Sequence, residues 1–292
     1  MGPSPASLAA TAVGDITVTF VPDGVIRLPV SATYGEPAEE LFAANRHLLD
    51  DRGDLVLSLG AVLVETADSR VLVDLGWGPS TADLAALSGG RIPAGGMRGG
   101  ELLQNLRSLG IGPEDVDLVL LSHLHADHIG WVADDDGRPT FARADHCLAA
   151  AEWDHWHGPA GGGAAGPRPP QSAALRDRLR TIRDGECVSP GVNVVLTAGH
   201  TPGHCSFVVS SRGQRAIVLG DTVHCALEIA HPELELLGDV DPRAAGATRA
   251  RLRQMLAGDD DLLAVAPHLP DTVFGRVVRG DTASGWSLRA LS

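Results

Sequence analysis

Residues 118–128 read LVLLSHLHADH, an apolar run that ends in His123, His125, Asp127 and His128. The apolar half predicts a buried strand, and titratable side chains at the end of such a strand need partners, because burying them unpaired is strongly unfavourable. Metal ions are the partner that best explains so close a spacing. A strand end that runs through a turn into a helix start can aim His123 and His125 at one cation and Asp127 and His128 at a second beside it. A hydrogen-bonded cluster capping a helix is the alternative, and it would require several neutral rings to be satisfied in a crowded space.

One turn cannot complete two coordination spheres, so further ligands are expected at other strand ends. LTAGHTPGH places His200 and His204 after the apolar VNVVL, AIVLGD ends at Asp221, and LLAVAPH ends at His268. A carboxylate at a strand end can bridge two cations and hold them roughly 3.5–4 Å apart. Asp221 is the candidate bridge.

Around these motifs the chain alternates. DITVTFVPDGVIRLPV, DLVLSLGAVLVET and RVLVDLG read as β runs, with turn signals at Asp23-Gly24 and Asp68-Ser69. Leu102, Leu103, Leu106 and Leu109 recur at helical spacing. DHCLAAAEWDHW and the stretch around SAALRDRLRTI also read as helical. VNVVLTA, CSFVVSS, RAIVLGD and LLAVAPH read as strands, and PRAAGATRARLRQMLA as a helix. Two β-then-α halves with ligands at their strand ends predict an α/β sandwich with a site along one edge of two sheets. Residues 1–14 are expected to be a disordered tail, and 15–292 a single domain.

Every one of the 23 basic residues is arginine, and the formal charge of −14 argues against nucleic acid as a partner. With no lysine, Schiff-base chemistry is excluded. No stretch approaches the ~18 consecutive apolar residues of a membrane span, and the N-terminus lacks a signal-peptide pattern, so a cytoplasmic protein acting on a small molecule is expected. A homodimer is compatible with this reading. Cys147, Cys187, Cys205 and Cys225 form no C-x-x-C pair and read as buried free thiols.

The five short motifs, in this order along the chain, resemble those of the metallo-β-lactamase superfamily of hydrolases. The resemblance implies an αββα sandwich with two mixed sheets and the metal site at their edge. It implies that His123, His125 and His200 hold one divalent metal and Asp127, His128 and His268 the other, with Asp221 shared. Asp74, in RVLVDLG, would orient a ligand rather than bind metal, and His204 would play a similar supporting role. Zinc is the default for this donor set, which also accepts manganese, iron or cobalt. Two divalent cations, two carboxylates and a bridging hydroxide leave a cluster of about +1 that can stabilise an oxyanion, with Asp127 as a proton shuttle.

GHTPGH, GDTVH, APHLPDTVFGRV and VPDG look most like the branch that holds quorum-quenching lactonases and methyl-parathion-hydrolase-like enzymes. A lactone or carboxylic ester of a small apolar molecule is therefore the expected substrate. Thioesterase, β-lactam and phosphotriester hydrolysis are alternatives within the superfamily, and an iron-dependent sulfur dioxygenase is the alternative of another class. The lactonases carry a tyrosine three residues after the bridging aspartate; here that residue is His224, read either as a hydrogen-bond donor to substrate or as part of the pocket wall. Trp131 stands where the family commonly has glycine. Trp131, Trp153 and Trp156 are candidates for an aromatic substrate wall, although EWDHW also fits a helix burying its aromatic face. The Gly/Pro-rich stretch 158–170 reads as a lid or a passive surface loop.

Overall fold

The computed structural model describes residues 2–290 apart from 36–37, 88–93, 135, 160–162, 164, 260 and 280–285. One nine-stranded sheet contains β1 (Ala9–Val13), β2 (Ile16–Pro29), β3 (Asp54–Glu65), β4 (Arg70–Val73), β5 (Thr81–Asp83), β6 (Gly96–Arg98), β7 (Leu118–Leu120), β8 (Asp145–Ala149) and β9 (Leu179–Ile182). Its order is β5-β6-β2-β3-β4-β7-β8-β9, with β1 paired to β2. The second sheet has seven strands in chain order: β10 (Cys187–Ser189), β11 (Val192–Leu196), β12 (Cys205–Ser211), β13 (Gln214–Val218), β14 (Leu262–Val265), β15 (Phe274–Arg279) and β16 (Trp286–Ala290). Both sheets are mixed. The pairs β4–β7, β7–β8 and β8–β9 are parallel in the first, and β13–β14 in the second.

Between the sheets, Val18, Phe20, Val62, Val64 and Leu120 pack in one core with Val194, Phe207, Val209, Val218 and Val265. The outer face of the first sheet is covered by Leu102, Leu106, Ala174 and Leu175 from the helices Leu102–Ser108 and Pro169–Arg176. The helix Pro242–Ala257 lays Leu252 and Leu256 on Ile217 and Ala264 of the second sheet. Four layers result, helix, sheet, sheet, helix, because each sheet carries apolar residues on both faces and has to bury both.

Four expectations are corrected. Residues 1–14 are not a disordered tail, because Ala9–Val13 pair with Ile16–Phe20 and the Ala6 amide donates to Ser58 Oγ at 2.8 Å. The open edge of β2 beyond its pairing with β6 gives β1 its place. Asp23-Gly24 is not a turn between strands. It is a bulge inside the 14-residue β2, where the register against β3 slips between Pro22 and Gly24. A Cβ on Gly24 would lie 1.8 Å from the Arg98 carbonyl oxygen, so only glycine fits.

DHCLA and LRTI, read as helical, are strands β8 and β9 that extend the parallel run from β7. Pairing against a buried neighbour overrides the helix propensity of alanine, leucine and arginine. Of the four free thiols, Cys187 is exposed rather than buried.

Candidate metal centre

All the proposed ligands lie at one edge of the sandwich, beyond the C-terminal ends of the parallel pairs β4–β7 and β13–β14. Chain leaving β4 supplies Asp74, and chain leaving β7 supplies His123, His125, Asp127 and His128. Loops after β11 and β14 supply His200 and His268, and the single turn Gly220–Thr222 after β13 supplies Asp221. Parallel neighbours deliver their ends to the same side, so residues far apart in sequence meet.

Two groups form. His125 Nδ1 lies 2.9 Å from His123 Nε2 and 2.9 Å from His200 Nε2. Asp221 Oδ2 stands 3.6 Å from the first of those Nε2 atoms and 3.3 Å from the second. The other oxygen, Oδ1, is 2.9 Å from His128 Nε2 and 3.0 Å from His268 Nε2. Asp127 Oδ2 completes this second group at 3.8 and 3.9 Å from the same nitrogens. One carboxylate thus has an oxygen in each group, as the bridging assignment of Asp221 requires.

The donor chemistry fits two cations. Nitrogens of three imidazoles converge with one oxygen of Asp221, a crowd of lone pairs that a cation relieves and hydrogen bonding among neutral rings cannot satisfy fully. Burial and the neighbouring imidazoles hold His123 and His125 well below the ordinary histidine pKa, leaving their lone pairs free. For Asp221 burial works the other way, but His128, His268, His123 and His224 outweigh it and keep the carboxyl well below its usual range.

Three of the histidines are held from behind. Asp74, at the left-handed φ of 61°, accepts from the Ser122 amide and hydroxyl at 2.8 Å each and faces His128 Nδ1 at 2.9 Å. His268 Nδ1 faces the Ser58 carbonyl at 2.9 Å, and His200 Nδ1 faces Asp239 Oδ1 at 2.9 Å. Carbonyl and carboxylate oxygens accept only, so the proton sits on Nδ1 and the Nε2 lone pair points into the site. Asp239 is paired in turn with the buried Arg249 at 3.3 Å. Glu152 accepts from the amides of Leu124 and Gly203 and from the Trp156 indole, joining the two histidine loops.

Sequence reasoning missed Asp239, Arg249, Ser58 and Glu152. Only the placement of an arginine and a glutamate among helical apolar residues could have hinted at two of them.

His204 lies behind Asp221. Its Nε2 accepts the Asp221 amide N–H at 3.0 Å and its Nδ1 faces Thr197 Oγ1 at 2.8 Å, while burial and the nearby His200 push its pKa down to about 3. The two histidines of GHTPGH should therefore separate on mutation. His200→Ala is expected to lose metal from its group, whereas His204→Ala keeps most metal by elemental mass spectrometry. The second variant loses about 1–3 kcal/mol in urea unfolding, because a buried amide is left without an acceptor.

The aromatic wall is only partly where the sequence suggests it. Trp131 donates its indole N–H to Asp23 Oδ1 at 2.8 Å and lines a separate cavity with Pro79, Asp134, Arg168 and Gln171, so a substrate role is corrected to a structural one. Trp153 stacks on His157 at 3.7 Å and packs on the helical core, again away from the ligands. Trp156 does reach the site, with its ring 5.5 Å from that of His125. Of the 158–170 stretch, residues 160–162 and 164 lie outside the described residues; Ala165 accepts the Ala126 amide at 2.8 Å, and Gly166 lies against the Trp156 ring.

His224 Nε2 stands 3.1 Å from Asp221 Oδ2. The same ring borders an apolar cavity of about 160 Å³, lined among others by Leu55, Leu57, Leu269 and Phe274.

Comparison with known proteins agrees with this geometry. Residues 61–268 match the metallo-beta-lactamase superfamily. An N-acyl homoserine lactonase of Bacillus thuringiensis is 23% identical over 215 residues, covering 72% of this chain and 80% of the relative. The solved structure of AidC, a dizinc quorum-quenching lactonase in complex with a product, superposes with a TM-score of 0.81 at 23% identity over 98% of both chains. Hydrolase AbOPH of the beta-lactamase superfamily gives 0.79 at 26% identity, also over 98% of both chains. With its four-layer fold and a family match that spans residues 61–268, this chain belongs to the metallo-beta-lactamase superfamily.

Proposed function

We propose that this chain is a dizinc hydrolase that opens a lactone, or cleaves a related carboxylic ester, of a small molecule with an apolar chain. The observation that carries the reading is Asp221, with one oxygen in each of two ligand groups, beside an apolar cavity that His224 borders. The lactonase names of the relatives favour an N-acyl homoserine lactone as the substrate class.

When bound, two divalent cations lower the pKa of water and polarise the scissile carbonyl. The chain's own residues do the rest. Asp127 is half-buried, so the carboxylate oxygen that does not face His128 and His268 can take up a proton and still pass it to solvent. His224 presents Nε2 from the cavity side, where it can hydrogen-bond the carbonyl or leaving oxygen. The apolar wall binds the substrate's chain and excludes water from that side. Trp156 closes the other flank beside His125.

Metal content by elemental mass spectrometry, with lactone opening followed by pH-stat over a series of acyl lengths, tests the proposal. About two zinc ions per chain are expected. Each added methylene should raise kcat/KM up to about fourfold, the effect of burying about 0.8 kcal/mol, until the cavity is full. Full metal loading with no turnover of any lactone or ester would sink the reading. A single iron with oxygen uptake would favour the dioxygenase instead.

A further inference from the structure

The helix Ala150–His157 leaves β8 with Glu152 in its first turn, and that side chain is completely buried. Oε1 accepts the Leu124 amide at 3.0 Å and the Trp156 indole N–H at 2.7 Å, and Oε2 accepts the Gly203 amide at 3.1 Å. Leu124 lies between His123 and His125, Gly203 lies between His200 and His204, and the Trp156 ring stands against His125. All three donors therefore belong to the wall of one ligand group, that of His123, His125 and His200. His128 and His268, in the other group, face Asp74 and the Ser58 carbonyl instead.

A buried carboxylate is costly unless hydrogen bonds compensate it, so Glu152 and its three donors fix one another. Packing adds to the hold. A Cβ on Gly203 would lie 2.2 Å from the Glu152 backbone nitrogen and 2.6 Å from its Cα, so the loop that carries His200 rests directly on the start of the helix. One side chain thus spaces His125 against His200, whose nitrogens meet although the residues are 75 positions apart in sequence.

We propose that Glu152 is the positioning residue of this first ligand group. It sets the separation of the His123–His125 turn from the His200 loop, and with it the affinity of that group alone for its metal ion. The inference rests on the two-metal reading of the site and is independent of the substrate. Glu152→Gln keeps the size of the side chain and removes an acceptor. With the amide oxygen on Leu124 and Trp156, the NH2 faces the Gly203 amide; with the oxygen on Gly203, the NH2 faces the other two donors. Either orientation sets donor against donor and frees one loop from the other.

The test places the substitution in two backgrounds and reads zinc by competition with a chromogenic chelator. Asp127→Ala keeps the ion of the first group, and His200→Ala keeps that of the second. Adding Glu152→Gln is expected to weaken zinc about 10–100-fold in Asp127→Ala, the usual effect of removing a group that orients metal ligands, and to leave the affinity of His200→Ala unchanged. Gly203→Ala, whose methyl group drives the loop off the helix without altering the carboxylate, should reproduce the selective loss and serves if Glu152→Gln fails to fold.

Equal weakening in both backgrounds would make Glu152 a support of the fold at large and overturn the proposal, and so would unchanged affinity in Asp127→Ala. If the wild type takes up a single ion and His200→Ala abolishes it, the two-metal reading fails. Zinc weakened by Glu152→Gln in that protein would still uphold the role of Glu152, and zinc unchanged would end it.

Discussion

Asp221→Ala is expected to lose both metal ions and, with them, at least on the order of 10³-fold in kcat/KM. The expectation follows from its two oxygens: Oδ1 is within 3.0 Å of His128 and His268 nitrogens, and Oδ2 faces His123 and His200. Removing it takes a negative charge from both groups at once and leaves buried imidazoles converging with nothing between them. Asp127→Ala is the control. Its carboxylate faces only His128 and His268, so that variant should keep about one ion per chain and lose the other. Elemental mass spectrometry after dialysis against a weak chelator reads the difference. Two ions retained in Asp221→Ala, or equal losses in the two variants, would remove the bridge from the site.

The candidate ligands were legible because each follows an apolar strand within a few residues, and an apolar run followed by histidine or aspartate is a local pattern. His123, His125, Asp127, His128, His200, Asp221 and His268 all obey it, and the sheet topology needed only to bring strand ends together. What stands behind them was not legible. Asp239 reaches His200 from 39 residues away and Glu152 reaches Gly203 from 51, and neither sits in a pattern that announces its partner. Glu228 is four residues from His224, yet its hold on the His224 and Cys225 amides depends on a single turn of helix that sequence does not foretell. Trp131 misled for the opposite reason. It sits three residues beyond His128 in sequence, but the turn at Gly130 swings it to Asp23. The strands β8 and β9 and the pairing of β1 were set by neighbouring strands, which local propensity does not see.

Asp23→Ala should be the most destabilising single change outside the metal ligands. The side chain is completely buried at the bulge of β2 and accepts five N–H groups. Oδ2 takes the amides of Trp77 and Gly78 at 2.7 and 3.0 Å. Oδ1 takes those of Gly100 and Leu102 at 3.0 Å each and the Trp131 indole at 2.8 Å. Each donor orphaned in a buried setting costs about 1–3 kcal/mol, and even with water reaching some of them the loss in urea unfolding should be about 5 kcal/mol. Asn is no rescue, since its NH2 would have to face either the Trp77 and Gly78 amides or the other three donors. The damage should also reach the metal site: Leu75 donates to the His128 carbonyl at 2.8 Å, and Gly130 donates to Gly76 at 2.7 Å, so the segment that Asp23 anchors carries Asp74 and braces the ligand turn. Weaker zinc retention against a competing chelator should therefore accompany the lower urea midpoint. A stability loss under about 1 kcal/mol would mean that the bulge holds the Asp74 segment in place without Asp23.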